Sequence, residues 1–143
     1  MLLPDVNVLI YAFRTEEPRR AEYRAWLEGL VAGDQAYGMS DLVLSSFLRI
    51  VTNPRAFPDA DPMEKAMAFV STLRSQPHCV CVSPGPRHWG IFTGLCERAQ
   101  ARGNLVADAF LAALAIESGC EWISTDRDYA RFPGLRWRHP LDR

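Results

Sequence analysis

The sequence predicts an α/β protein of three layers, α/β/α, around a central parallel sheet of four to five strands. Two observations lead there. Short apolar runs that read as buried strands alternate with longer stretches whose apolar residues recur at helical spacing, which marks a parallel sheet covered by helices on both faces. The length of 143 residues suits one domain, 1–143, and suffices to bury a core without disulfides or a structural metal.

Residues 1–4 are an apolar run ending at Asp5, read as a strand with a carboxylate at its C-terminal end. A helix follows from about Asn7 through Ala12. Pro18 opens an amphipathic helix in which Tyr23, Trp26, Leu27, Leu30 and Val31 recur at helical spacing, stopped by Gly33. Residues 37–40 are a second strand, and 42–51 a strongly apolar helix. Asn53 and Pro54 end that helix, because the residue before proline is pushed out of the helical region. A turn-rich connector over 57–62 leads into a helix over 62–76, with Met63, Met67, Phe69, Val70 and Leu73 on its apolar side. A third strand covers 79–82. Helices over 86–102 and 105–118 are separated by Gly103 and Asn104 and closed by Gly119. Residues 122–124 are a fourth strand leading into Thr125 and Asp126, and 135–137 are a fifth.

Sixteen Lys plus Arg stand against seventeen Asp plus Glu, a net charge of −1, so the molecule as a whole has no field that attracts a polyanion. The charge is nevertheless unevenly placed. Arg14, Arg19, Arg20 and Arg24 form one basic group, and from Arg127 to Arg143 five Arg face only Asp128 and Asp142, a local balance of +3. Both groups are expected to flank the carboxylates described next and to grip phosphates. Fifteen of the sixteen basic residues are Arg, and Lys65 is the only lysine, which excludes mechanisms that need a second one.

Cys79, Cys81, Cys96 and Cys120 show neither C-x-x-C nor zinc-ligand spacing with His, and free thiols are expected. The apolar start lacks the basic region of a signal peptide and no stretch approaches the ~20 residues that span a bilayer. A cytoplasmic protein with no membrane partner is therefore expected.

In an open parallel sheet, ligands bind outside the carboxyl ends of the strands. Asp5 and Asp126 both stand there, and either also suits a helix N-cap. Asp108 is the only charged residue between Asn104 and Glu117, and Leu111 and Ala112 one turn on are apolar. One reading turns it inward, where a carboxylate requires a cation, a metal or strong donors. The other leaves it in the solvated first turn of a helix capped by Asn104. Three carboxylates from distant parts of such a chain can meet at one sheet edge, where like charges need something positive among them. Oxygen ligands without His or thiolate point to Mg²⁺ or Mn²⁺, and such an ion beside phosphate points to phosphodiester hydrolysis.

The run from Pro4 to Ala12, Pro-Asp-Val-Asn-Val-Leu-Ile-Tyr-Ala, resembles the opening of a PIN domain. Asn104 to Ala115 resembles its central acidic helix, and Ser124 to Leu135 its closing acidic loop. Within that family the chain is most similar to the VapC toxins of type II toxin–antitoxin operons, in order and spacing over nearly its whole length. The resemblance implies an endoribonuclease dependent on Mg²⁺ or Mn²⁺, acting on tRNA, rRNA or mRNA, silenced by a VapB-type antitoxin and working as a homodimer. It assigns catalytic and metal-holding roles to Asp5, Asp108 and Asp126, with Thr125 as the neighbouring hydroxyl and Asp128 as an outer acid. The family's second acid is a Glu in the third helix, and here Ser46 stands in its place. Asp41 either supplies the missing charge or caps the helix that starts at Leu42.

Other classes fit less well. A haloacid-dehalogenase-like phosphatase needs a second acid two residues after the first, where this chain has Asn7, and a catalytic lysine after a strand. A receiver-like phospho-acceptor fails for want of the same lysine, and no glycine-rich nucleotide loop occurs. The remaining rival is a PIN-like module that has lost catalysis and binds proteins, which Ser46 allows and the three aspartates oppose.

Overall fold

A computed structural model describes residues 1–14 and 16–142. Its strands are β1 (Leu2–Pro4), β2 (Tyr37–Met39), β3 (Cys79–Cys81), β4 (Glu121–Ile123) and β5 (Trp137–Arg138). They form one sheet in the order β3-β2-β1-β4-β5, and every pairing is parallel. The helices are α1 (Val6–Phe13), α2 (Arg20–Ala32), α3 (Asp41–Val51), α4 (Met63–Arg74), α5 (His88–Ala99) and α6 (Asn104–Ser118), with a 3₁₀ turn over Arg127–Arg131. The chain steps outward from β1 to β2 to β3, then crosses back to β4 on the other side of β1. Helix α1 packs on both α2 and α3, α3 packs on α4, and α5 packs on α6. Right-handed crossovers set these two groups on opposite faces of the sheet, which makes three layers.

Burial follows the sequence pattern closely. Leu3, Tyr37, Met39, Trp122 and Ile123 on the three inner strands are wholly buried, as strands covered on both faces must be. Beneath α1, α3 and α4 the rings of Phe13, Phe47 and Phe69 meet with centroids 4.9 to 5.2 Å apart. Gly38 is required on β2, because a Cβ there would lie 2.9 Å from Val82 Cγ2 and 3.1 Å from Leu3 Cδ1. Among the described residues, no helix is long and apolar enough to cross a membrane.

Three expectations shift in detail. The fifth strand begins at Trp137, not at residue 135, because Leu135 N–H is taken by the carbonyl of Phe132. Helix α5 begins at His88, not at residue 86: Glu117 accepts hydrogen bonds from the N–H groups of Gly85 and Arg87 and holds that segment as a turn. Asn104 does not cap α6; it is the first helical residue, and Gly103 with φ of 56° stands at the cap.

Candidate active site

Strand β1 has β2 on one side and β4 on the other, and the chain leaves β1 and enters β4 in opposite senses. The crevice outside the carboxyl ends of β1 and β4 is therefore the topological switch point, where open α/β sheets bind ligands. Asp5 directly follows β1, and Ser124, Thr125 and Asp126 directly follow β4. Asp5 N–H donates to the carbonyl of Ile123 at 2.8 Å, so the two ends are tied by backbone.

Asp5 is only 4 % exposed. Its Oδ1 accepts from Val6 N–H at 2.7 Å, and its Oδ2 accepts from Ser124 Oγ at 2.8 Å and from Asn7 Nδ2 at 3.3 Å. The carboxylate thus caps α1 and at the same time lines a cavity at this sheet edge. Burial is the largest influence on its proton affinity and the charges of Asp108 and Asp126 act in the same direction; together they raise its pKa to about 6 against the pull of the Ser124 and Val6 hydrogen bonds. Asp108, on α6, is half-buried and its pKa is also raised, first by burial and then by Asp126 and Asp128, with Tyr129 acting the other way. Asp126 caps the 3₁₀ turn, accepting from Asp128 N–H at 2.9 Å.

The structure brings the fields of the three sequence-predicted aspartates together, but not their oxygens into one closed shell. Among the described residues, no three carboxylate, imidazole or thiolate side chains are gathered so as to hold an ion by themselves. Nor does any Arg, Lys or His form an ion pair with Asp5, Asp108 or Asp126 among the described residues. Arg131 reaches Asp128 at 3.6 Å and acts on Asp108 only through its field. A buried carboxylate with neutral donors and acidic neighbours costs several kcal/mol unless a cation joins it. The oxygen-only donor set fits a hard divalent ion that keeps part of its water shell.

Several residues of this crevice were not singled out by sequence. Ser124 is the hydroxyl that touches Asp5, in place of the expected Thr125, whose N–H instead donates to Asn7 Oδ1 at 3.2 Å. Ser124 Oγ also accepts from Asp126 N–H at 3.1 Å and from Asn7 Nδ2 at 3.1 Å, so Asn7 ties the two strand ends together. Tyr129, buried against Trp122, donates its hydroxyl to Asp108 Oδ1 at 3.2 Å. One signal was available: Ser124 and Asp126 differ by two residues at a strand end, as do Asp5 and Asn7.

The remaining expectations divide. Asp41 does not supply a missing charge; it is exposed in the first turn of α3 and pairs with Arg74 at 3.0 Å. Ser46 faces the same cavity as Asp5. Arg14 is no phosphate clamp: it is buried and spent on Asp59 at 2.7 Å, Asp61 at 2.9 Å and Glu16 at 3.1 Å. Arg19 pairs with Glu22 and Arg24 with Glu28 along α2. In the C-terminal group, Arg138 pairs with Glu121, Arg136 donates to the carbonyl of Gly119, and Arg127 pairs loosely with Asp142 at 3.8 Å. Arg143 lies outside the described residues. The basic flanks are thus mostly neutralised, with the exposed pairs of Arg127 and Arg131 the easiest to exchange for phosphate.

The model of the PIN domain matches residues 2–135. "VapC ribonuclease Mb2897" of Mycobacterium bovis is 46% identical over 142 residues, covering 99% of this chain and 97% of that one. "Ribonuclease VapC25" of Mycobacterium tuberculosis is 44% identical over 140 residues, covering 98% of this chain and 99% of that one. Among solved structures, VapBC2 from Rickettsia felis bound to a DNA fragment from its promoter has a chain that superposes with a TM-score of 0.68 at 17% identity, covering 96% of this chain and 97% of that one. Fold, length and sequence agree, and the chain belongs to the PIN-domain family, among the VapC ribonucleases.

Proposed function

We propose that this single-domain protein is a metal-dependent endoribonuclease toxin that hydrolyses RNA phosphodiester bonds in the cytoplasm and is neutralised by a VapB-type antitoxin. The observation that carries the reading is Asp5, a buried carboxylate at the switch point that shares its field with Asp108 and Asp126 and pairs with no cationic side chain among the described residues. Asp5, Asp108 and Asp126 are the residues that would hold Mg²⁺ or Mn²⁺, with water completing the shell. Such an ion supplies an activated water and screens charge on the phosphate.

The protein's own part is positioning. Ser124 and Asn7 fix the rotamer of Asp5, Tyr129 fixes Asp108, and the 3₁₀ turn presents Asp126. Each acid is thereby aimed before substrate arrives, which avoids reorganisation at the moment of reaction. Arg127 and Arg131, exposed beside this turn, are the groups placed to take neighbouring phosphates.

A homodimer is the working form. That state is what the likeness to the VapC ribonucleases implies. The catalytically silent binding module is the weaker reading, because a module without catalysis gains nothing from an unneutralised buried Asp5.

The deciding experiment is cleavage of tRNA, rRNA and mRNA substrates with Mg²⁺, with Mn²⁺ and with EDTA, using Asp5→Asn and Asp108→Asn as controls. Cutting that needs the ion and is lost in both variants supports the proposal. Cutting in EDTA, or full activity in both variants, overturns it.

A further inference from the structure

Beside Asp5 a cavity of about 300 Å³ opens between the start of α1, the first turns of α3 and the first half of α6. Leu42, Val43, Phe110 and Leu111 make its walls, and Asp5 and Ser46 are its only polar side chains. Thr52, Thr72, Thr93 and Ser118 each hydrogen-bond from a helix to the carbonyl four residues earlier. Ser46 is also helical, yet among the described residues its hydroxyl has no hydrogen-bond partner. Ser46 is half-buried at an open cavity, so its hydroxyl is free to exchange water for a donor or acceptor of a ligand.

We infer that this cavity is a nucleobase subsite, taking the base next to the phosphate that is cut; the inference rests on the ribonuclease reading above. The volume lies at the lower end of small-ligand sites, ~300 to 1,000 Å³, and suits one flat ring system rather than a stretch of chain. The apolar walls reject a phosphate or a hydrated ion and accept a ring. Phe110 offers an aromatic partner, already packed against His88 at 4.3 Å and Phe92 at 5.5 Å and so held in place. Ser46 can bond to a ring nitrogen, carbonyl or amino group of the base, and so distinguishes one base from another. Because Asp5 belongs to both the cavity and the acidic crevice, a base seated here sets its own phosphodiester beside the acids.

Two measurements on the full chain test this. The first follows binding of the four nucleoside 5′-monophosphates, without metal, by NMR shifts at Ser46 and Phe110, with ribose 5-phosphate as control. One or more nucleotides should bind saturably and ribose 5-phosphate should not. Ser46→Leu, which fills the hollow, should abolish binding, and the milder Ser46→Ala should weaken it about threefold to tenfold, the loss of one hydrogen bond. Equal binding of ribose 5-phosphate, absence of nucleotide binding, or unchanged affinity in a folded Ser46→Leu overturns the subsite. The second sequences cleaved RNA ends: both Ser46 variants should blur the base preference beside the cut and raise KM more than they lower kcat, and an unchanged pattern overturns the inference. Nucleotide binding by a protein that cuts no RNA would instead sink the ribonuclease reading and leave the subsite standing.

Discussion

The hydroxyl of Tyr129 donates to Asp108 Oδ1 at 3.2 Å, and the ring behind it is packed on Trp122 and Phe132. A buried phenol among Asp5, Asp108 and Asp126 stays protonated, because burial first and the three carboxylates next raise its pKa. It is therefore a permanent donor that holds Asp108 in one orientation. Tyr129→Phe keeps the ring and removes the donor. Stability should fall by about 1 kcal/mol, the usual worth of one hydrogen bond. In steady-state cleavage, kcat should fall while KM for RNA holds, and the ion concentration giving half-maximal thermal stabilisation should rise.

Asp5→Asn should abolish cleavage and yet stabilise the metal-free protein. It removes a buried charge that no cationic side chain offsets among the described residues, while the amide oxygen keeps either the Val6 bond or the Ser124 bond, which trims the gain. The melting midpoint without metal should rise, by about 1 kcal/mol or more in free energy, and added Mg²⁺ or Mn²⁺ should no longer raise it further. A lower midpoint in EDTA would contradict the electrostatic account of this pocket.

Arg14 is built into the structure, with Phe57 under its guanidinium at 3.9 Å and Asp61 beside it only 12% exposed. Arg14→Met leaves Asp61 with Lys65 alone, an exposed side chain. Chemical denaturation should show a loss of about 2 kcal/mol, less than for a fully buried pair because Asp59 and Glu16 are in water. RNA affinity below the melting range, and its salt dependence, should not change.

His139 follows β5, with Tyr23 of α2 at 6.3 Å, and its Nδ1 accepts Leu141 N–H at 3.1 Å. Burial lowers its pKa below the ordinary 6.5; Asp142 pulls the other way, and Arg127 and Arg19 add to the lowering. Between the lowered value and 6.5 the unfolded chain binds a proton that the folded chain refuses, so stability should rise with pH in that window and level off above it. Urea midpoints for the protein and His139→Asn, compared from pH 7.5 downward, should diverge below 6.5, with the parent falling further.

Order along the chain and apolar spacing sufficed to locate all five strands and six helices, because buried strands and amphipathic helices carry their own period. The positions of Asp5 and Asp126 at the ends of β1 and β4, and of Asp108 on α6, are legible for a similar reason, because a carboxylate at a strand end or alone in an apolar helix is conspicuous. The pairs Arg19–Glu22 and Arg24–Glu28 also follow from helical spacing. The bonds from Ser124 to Asp5 and from Arg14 to Asp61 do not, since they span 119 and 47 residues and depend on which loops come together. The family resemblance accordingly points to Thr125 where Ser124 bonds to Asp5, and sequence proximity alone groups Arg14 with the exposed arginines of α2.

The strand order sets β1 beside β4, so the two halves of the crevice are translated far apart, Asp5 and Ser124 being separated by 119 residues. On a nascent chain Asp5 has nothing to face until β4 has left the ribosome and paired. Activity is therefore expected to arrive in one step, only once β4 has taken its place beside β1. For a protein proposed to cut RNA, translated on an RNA machine, the order of its strands acts as a built-in delay.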